Sequence, residues 1–371
     1  MRLRIALLTL GTCGAVVAAA AAHASLVDAA AHTWRPFVLV TGLLLVGLVA
    51  NEDGVFVRGA GLLARLPGGP FPLYVAAMLL VALVTVLLNL DTSVAFLTPV
   101  LVHLARQRGV DELRFLYGCV YMSNAASLLL PGSNLTNLLI LSTEHVSGWT
   151  FLNRMAAPWV AAVVTTLAVV GLASRKGNRA EVPVRTAAIS SSVRRLGVLG
   201  VVVVAVLILV LPDPALPVLA VGVALVVVRL WQRRLTTTRV RGGVDVVSLL
   251  GVFLVAIALG TLARVWTYPG ELMAGAGAGA TAAIGAVASV LVNNLPAAVL
   301  LGSRMPAHAR SLLIGLNIGP NLAVTGSLSA LLWWQAARSV GVRPSARRYS
   351  AIGVILAPLS IGAALLAGRL T

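Results

Sequence analysis

Acidic charge is scarce in this chain, with 11 aspartates and glutamates against 28 basic residues in 371. Charged residues of both signs make up only 11% of it, apolar ones 59%, and the mean hydropathy is +0.98. That balance excludes a soluble globular domain, and several apolar runs approach the roughly 20 residues needed to span a bilayer. Cysteine is nearly absent: Cys13 and Cys119 both lie inside apolar runs, which excludes a disulfide framework and a metal cluster. There is no GxxxxGK[ST] motif, so any ATP drive would have to come from a separate ATPase subunit. No HExxH occurs, Asp91 has no second deep acid, and Ser133 has no deep base. Intramembrane hydrolysis needs such couples, so an enzyme is not expected, and neither a cofactor nor a metal is implied. The net charge of +17 does not point to nucleic acid, because the basic residues sit between apolar runs, where the positive-inside rule puts them.

What is present is a pair of interrupted apolar stretches. Asn124 to Leu139 reads NAASLLLPGSNLTNLL, in which Pro131-Gly132 is followed by Ser133, Asn134, Thr136 and Asn137 before the apolar run resumes. Proline removes a backbone donor and glycine permits unusual dihedrals. Non-helical backbone at membrane depth is tolerated only where it is buried in protein or lines a cavity. A break rich in hydroxyls and amides is therefore the build of a small-solute or ion site. Asn317 to Leu332, NIGPNLAVTGSLSALL, repeats the pattern: without a gap, Asn317 falls on Asn124, Gly326 on Ser133, Ser327 on Asn134 and Ser329 on Thr136. Upstream of each copy lies another polar interruption, Asn89-Leu90-Asp91-Thr92 in the first half and Asn293-Asn294-Leu295-Pro296 in the second.

The expected fold is an all-α polytopic membrane protein of two inverted repeats, each with a re-entrant hairpin and a broken transmembrane helix. Residues 1–34 hold a signal-like segment or first transmembrane helix, with Ala22-His23-Ala24 as a small-x-small cleavage pattern. The first transport repeat is 35–173, with a span from Arg35 to Ala50 and an interfacial strip from Asn51 to Leu66. Its hairpin arms are Phe71–Leu88 and Ser93–Leu104, its broken helix is Phe115–Thr143, and Phe151–Ala173 spans again. A cytoplasmic linker covers 174–195, and a helical pair with a basic loop covers 196–243. The second repeat is 244–371, with hairpin arms Leu272–Val292 and Ala297–Ser303, a broken helix Ser311–Trp334 and a last span Tyr349–Gly368. Gly275, Gly277, Gly279 and Gly285 on the first of these arms predict close backbone approach. With the N-terminus inside and nine spans, six basic residues fall outside (Arg35, Arg154, Arg264, Arg304, Arg310 and Arg369) and all the others inside. An odd number of crossings then separates the repeats, which inverts one against the other, as alternating access requires.

The stretches LNLDTSVAFLTPV at 88–100, SNAASLLLPGSNLTNLL at 123–139 and NNLPAAVL at 293–300 resemble the arsenite/antimonite permeases of the ion transporter superfamily. That superfamily also holds the divalent anion/sodium symporters, citrate transporter-like proteins and some sodium/proton antiporters. The resemblance covers about residues 35 to 371 and implies solute bound between hairpin tips and broken helices. By matching position, the site carries to Asn89, Asp91, Thr92, Ser133, Asn134, Thr136, Asn137, Asn293, Asn294, Thr325 and Ser327. Sodium-coupled relatives place Ser-Asn-Thr at or near both tips; here the tips read Asn-Leu-Asp-Thr and Asn-Asn-Leu-Pro, which departs from sodium coupling. The function implied is secondary transport, foremost proton-coupled export of arsenite or antimonite. Symport of citrate-like or other anions, or sodium/proton antiport, is the alternative.

Among single residues, Asp91 is the one acid placed deep in the membrane, and an intramembrane carboxylate is a functional hypothesis by default. Burial disfavours its charged form, which suits a proton carrier. The asparagines can each donate and accept, matching a neutral polyhydroxy solute such as arsenous acid, or a carboxylate. Cys119 reads as a small packing residue, because one thiol cannot chelate arsenic. His103 and His145 read as solvated ends. Trp149, Trp159, Trp266, Trp333, Trp334 and Tyr268 read as interfacial anchors. The expected partners are the lipid bilayer, a small inorganic or organic anion or neutral oxyacid, and a second copy of the chain. The location is the cytoplasmic membrane of a bacterium.

Overall fold

The computed structural model describes residues 2–141, 146–173, 195–304 and 306–370. The linker therefore lies outside the described residues except for Arg195, and so does His145. Every regular element among the described residues is helical. Five stretches are long and apolar enough to cross a membrane: His23–Glu52, Pro70–Leu87, Gly148–Ala173, Thr237–Val265, in which α11 (Thr237–Gly243) is followed by α12 (Val246–Val265), and Ala346–Ala367.

The first helix, α1 (Arg2–Ala21), packs along α12 (Val246–Val265). Gly11 and Gly251 face each other there; a methyl on either would meet the opposite backbone at 2.6–2.8 Å. α2 (His23–Glu52) runs through the middle of the molecule, against α9 (Arg195–Val210), α10 (Ala215–Trp231) and α12. It starts earlier than expected because Pro36 is carried inside it rather than near its start. α3 (Val55–Ala64) is a short amphipathic turn of the chain that leads to α4 (Pro70–Leu87).

α4 and α5 (Leu90–Gln107) are joined at Asn89, whose Oδ1 accepts from the Thr92 amide and caps α5. α6 (Glu112–Ala126) then ends at the first break. A 3₁₀ turn, Pro131–Ser133, crosses it, and the helix resumes as α7 (Leu135–Leu141). α8 (Gly148–Ala173) lies along the last helix, α18 (Ala346–Ala367). In the second half the expected arm 272–292 is two helices. α13 (Tyr268–Gly275) stops at Ala276 and α14 (Ala278–Val292) starts afresh, because Gly275 and Gly277 leave the chain free to turn. The expectation that these glycines bring backbones together is corrected. Gly275, Gly277 and Gly279 face open space, and only Gly285 meets a neighbour, α16 at Leu312. α15 (Asn294–Gly302) follows, then α16 (Ala309–Ile318). Two 3₁₀ turns (Gly319–Leu322 and Val324–Gly326) cross the second break, and the helix resumes as α17 (Leu328–Ser339).

The second break is clamped onto α6 by aromatic side chains. Trp333 is fully buried and donates to the Leu116 carbonyl at 2.8 Å, so it is a core residue and not the interfacial anchor expected of it. Tyr121 donates to the Tyr349 carbonyl, and Tyr349 donates to the Pro320 carbonyl at 2.9 Å, satisfying an acceptor that the break leaves open. Trp149, Trp266 and Tyr268 are exposed.

One expectation for the strip 51–66 is also corrected. Asp53 is buried, and its Oδ2 accepts from Arg229 Nη2 at 2.5 Å and from the Gly197 amide at 2.7 Å. Arg229, expected in a basic loop, closes α10 and is buried as well. The pair joins the end of α2, the start of α9 and the end of α10. Removing one partner of a buried pair leaves a dry, unbalanced charge, which costs about 3–5 kcal/mol. Arg229→Ala should therefore lower unfolding stability in detergent by about that amount. Arg239→Ala, which breaks the exposed pair of Arg239 with Glu52, should cost about 0–1 kcal/mol. Equal effects in a denaturant titration would show that the Asp53 carboxylate is not held dry.

Candidate functional site

Four helices begin at one place in the interior, and each begins on an asparagine or serine that caps it. Asn89 caps α5, and Asn134 Oδ1 accepts from the Thr136 amide at the start of α7. Asn293 Oδ1 accepts from the Leu295 amide at the start of α15, and Ser327 Oγ accepts from the Ala330 amide at the start of α17. Asn134 and Ser327, which correspond in the gapless comparison of the two stretches, share an extended backbone (φ −149°, ψ 138° and φ −148°, ψ 153°). Asn293 has φ +78° and ψ 149°, a strained conformation, outside the left-handed helical region, that glycine alone adopts freely. Each helix start carries partial positive charge.

Between these starts lies a cavity of about 300 Å³. Its polar lining is Asp91, Asn134, Thr136, Asn293, Asn294 and Ser329. Its apolar wall includes Leu7 and Leu10 of α1, Val40 of α2, and Leu249, Val252 and Val255 of α12. No basic side chain among the described residues lines it. Asp91 Oδ1 accepts from Ser329 Oγ at 2.5 Å, a bond from the first turn of α5 to the start of α17. The Thr136 hydroxyl is buried and has no hydrogen-bond partner among the described residues. A buried hydroxyl left in that state on a cavity wall is free for a solute.

Of the sequence-predicted residues, Asp91, Asn134, Thr136, Asn293 and Asn294 are thus brought together on the cavity. The others stand behind it or beside it. Asn89 and Thr92 are buried at the first tip, Thr92 against Gly47 of α2. Ser133 donates to the Val86 carbonyl at 3.3 Å. Ser327 serves as a cap. Thr325 is exposed, and its carbonyl accepts from Asn293 Nδ2 at 3.1 Å. Asn137 faces a buried amide network with Asn317 at its centre. Asn317 Oδ1 accepts from Asn134 Nδ2 at 2.6 Å and from Ser127 Oγ at 2.7 Å. Asn317 Nδ2 donates to Asn137 Oδ1 at 2.8 Å. Beside it, Asn124 donates to Asn321 Oδ1 at 2.8 Å. Sequence reasoning placed neither Ser329 nor Asn317 in the site. The gapless comparison did hold the signal, since it aligned Ser329 with Thr136 and Asn317 with Asn124.

Residues 2–333 match the citrate transporter (CitMHS) family. The chain belongs to that family. Among curated relatives, the arsenical pump membrane protein of Yersinia enterocolitica is 26% identical over 87% of this chain and 83% of its own length. An arsenical pump membrane protein of Escherichia coli is 25% identical over 81% of this chain and 78% of its own. The fold is that of a solved transporter, YdaH of Alcanivorax borkumensis. The TM-score is 0.58 at 15% identity, with 94% of this chain and 87% of that one covered. This citrate transporter family member is therefore a multi-pass membrane transporter, and its resemblance to arsenite/antimonite permeases holds across most of its length.

The two groups of polar residues should separate by experiment. Thr136→Val keeps the shape and removes the unpaired hydroxyl, so stability should hold or rise. Apparent affinity for solute should fall by about 2- to 12-fold, the value of one neutral hydrogen bond. Asn317→Ala orphans buried donors and acceptors and should lower stability by about 1–3 kcal/mol for each group left unpaired. Thermal unfolding beside uptake in vesicles checks both. A Thr136→Val variant that transports like the parent would remove Thr136 from the binding surface.

Proposed function

We propose that this family member exports arsenite or antimonite and couples export to protons through Asp91. The observation that carries this reading is the cavity wall: amides, hydroxyls, helix starts and one carboxylate, with no basic side chain among the described residues. Trivalent arsenic in neutral water is the trihydroxide, a neutral solute with three hydroxyls. Its oxygens can accept from Thr136, Asn134 and Asn294, and its hydroxyls can donate to the Asp91 carboxylate. A multiply charged carboxylate would find only helix dipoles to balance it, which disfavours citrate in this chain. The relatives named arsenical pump membrane proteins support the same substrate class. Their name leaves open a separate ATPase subunit, which would supply drive without changing the site. A second copy of the chain is compatible with the same arrangement.

In the same reading, the two halves are inverted repeats: 35–173 and 244–371, joined through the linker and the helical pair. α4 and α5, and likewise α14 and α15, are re-entrant hairpins whose tips meet the breaks of α6–α7 and α16–α17. Residues 1–34 supply a first transmembrane helix, and the linker is cytoplasmic. A cysteine introduced at Asp213, on a background lacking Cys13 and Cys119, should react with an impermeant reagent from outside. One at Gly177 should not, and the reverse pattern would overturn the arrangement.

Asp91 would take a proton on the acidic side and release it on the other as access alternates. Ser329 holds the carboxylate in place by donating to Oδ1. Asp91→Asn keeps the shape but cannot release a proton. In vesicles of purified protein, it should abolish movement driven by a pH difference while leaving downhill exchange of arsenite. Asp91→Glu should keep part of the coupling with a displaced pH dependence. Uphill movement by Asp91→Asn under a pH difference would make Asp91 structural. Uphill movement by the parent under sodium alone, or of citrate in preference to arsenite, would replace this reading by the symporter one.

A further inference from the structure

A second cavity, of about 700 Å³, lies away from the one described and shares none of its residues. Among the described residues it is lined by Arg154, His308, Arg310 and Arg369, and by no carboxylate. Three arginines that share a cavity repel one another, and like charges are normally interleaved with acids. None of the three forms an ion pair among the described residues. The cavity also receives the starts of two helices. Ala278 and Gly279 open α14, and Ala309 and Arg310 open α16; neither helix has a side-chain cap. The first-turn amides of both helices lack intrahelical acceptors, and they add donors of the same sign to those of the arginines. Gly279 faces open space, so nothing in the protein fills that approach.

The position of the cavity narrows the ligand. Arg154 lies in the second turn of α8, and Arg369 stands just past the end of α18, two apolar helices that pack along each other. The starts of α14 and α16 meet them there. α8 and α18 are both long enough to cross a bilayer, so the level of their ends is that of the lipid headgroups. Ile314, Leu365 and Pro158 supply apolar wall beside the charged mouth.

We propose that this basic cavity is a binding site for phosphate-bearing anions, taken up as the headgroup of an anionic phospholipid or as a soluble phosphate. Arginine favours phosphate because its planar fork meets two oxygens at once. The apolar wall of Ile314, Leu365 and Pro158 accommodates the first carbons of a lipid chain.

The test uses full-length protein purified in detergent, stripped of lipid, and titrated with phosphatidylglycerol or phosphatidylcholine. Bound lipid is counted by native mass spectrometry. Parallel titrations use inorganic phosphate and glycerol phosphate, read by thermal unfolding. The comparison variant is Arg154→Gln/Arg310→Gln/Arg369→Gln. Phosphatidylglycerol should bind the parent at least about tenfold more tightly than the variant, the loss of one charge-assisted contact. Phosphatidylcholine should show no such difference. Retention of phosphatidylglycerol without competition by inorganic phosphate identifies a lipid site. Stabilisation by inorganic phosphate that the variant loses identifies a soluble-anion site. Equal behaviour of parent and variant towards all four compounds would overturn the proposal. Should the triple variant not accumulate, Arg154→Gln and Arg310→Gln are titrated singly by the same readout.

Discussion

Asn317 is the point on which the interior depends. Both breaks put open backbone and polar side chains into a helical bundle whose surroundings are hydrocarbon, where unpaired groups are costly. The Asn317 amide meets that cost across the two halves at once, accepting from Asn134 and Ser127 and donating to Asn137. Asn137 in turn donates to the carbonyls of Ser127 and Leu130, the acceptors left bare where α6 ends. The Tyr349 hydroxyl does the same for Pro320 at the other break. With these acceptors satisfied, the helix starts at Asn134 and Ser327 are held rigidly. The cavity can then present its polar groups without collapsing onto them.

Much of this arrangement was legible in the sequence, and for a definite reason. Pro131-Gly132 and the polar residues after it violate the apolar pattern locally, so the first break shows itself in a few consecutive letters. The polar interruptions at Asn89 and Asn293 show themselves by the same local logic, though their role as helix caps appears only in the structure. Asp91 stood out because a carboxylate in an apolar run has few alternatives. What stayed hidden depends on pairing across the chain. Asp53 looked interfacial because its partner Arg229 is 176 residues away and carries no local mark. Trp333 looked like a boundary residue because tryptophan at a helix end is common there; the packing of α17 on α5 and α6, with Tyr117 and Tyr349 against its ring, buries it. Ser329 was ordinary by its neighbours and became notable through Asp91, 238 residues away. The glycines of 275–285 misled because glycine serves both close packing and chain reversal, and sequence alone does not say which.

The cavity and the basic pocket divide the chemistry of the molecule between two environments. The central cavity is enclosed by α1, α2 and α12, and its polar groups are neutral but for Asp91. The basic pocket stands at helix ends and holds three arginines with no acid. A chain with so few acids has little to neutralise these three arginines from within.

The bonds between the breaks also bear on how the protein can move. Asn134 with Asn317, Asn124 with Asn321, and Asp91 with Ser329 each join a residue of the first half to one of the second. Sliding one half past the other would strip several buried amides of their partners at a stroke, about 1–3 kcal/mol for each. Motions that carry both breaks and the tip around Asp91 together leave these bonds whole. These bonds tie the two sequence halves into one hydrogen-bonded piece, while the α2 and α12 faces beside it meet through apolar side chains such as Phe37, Val40, Val252 and Ala256.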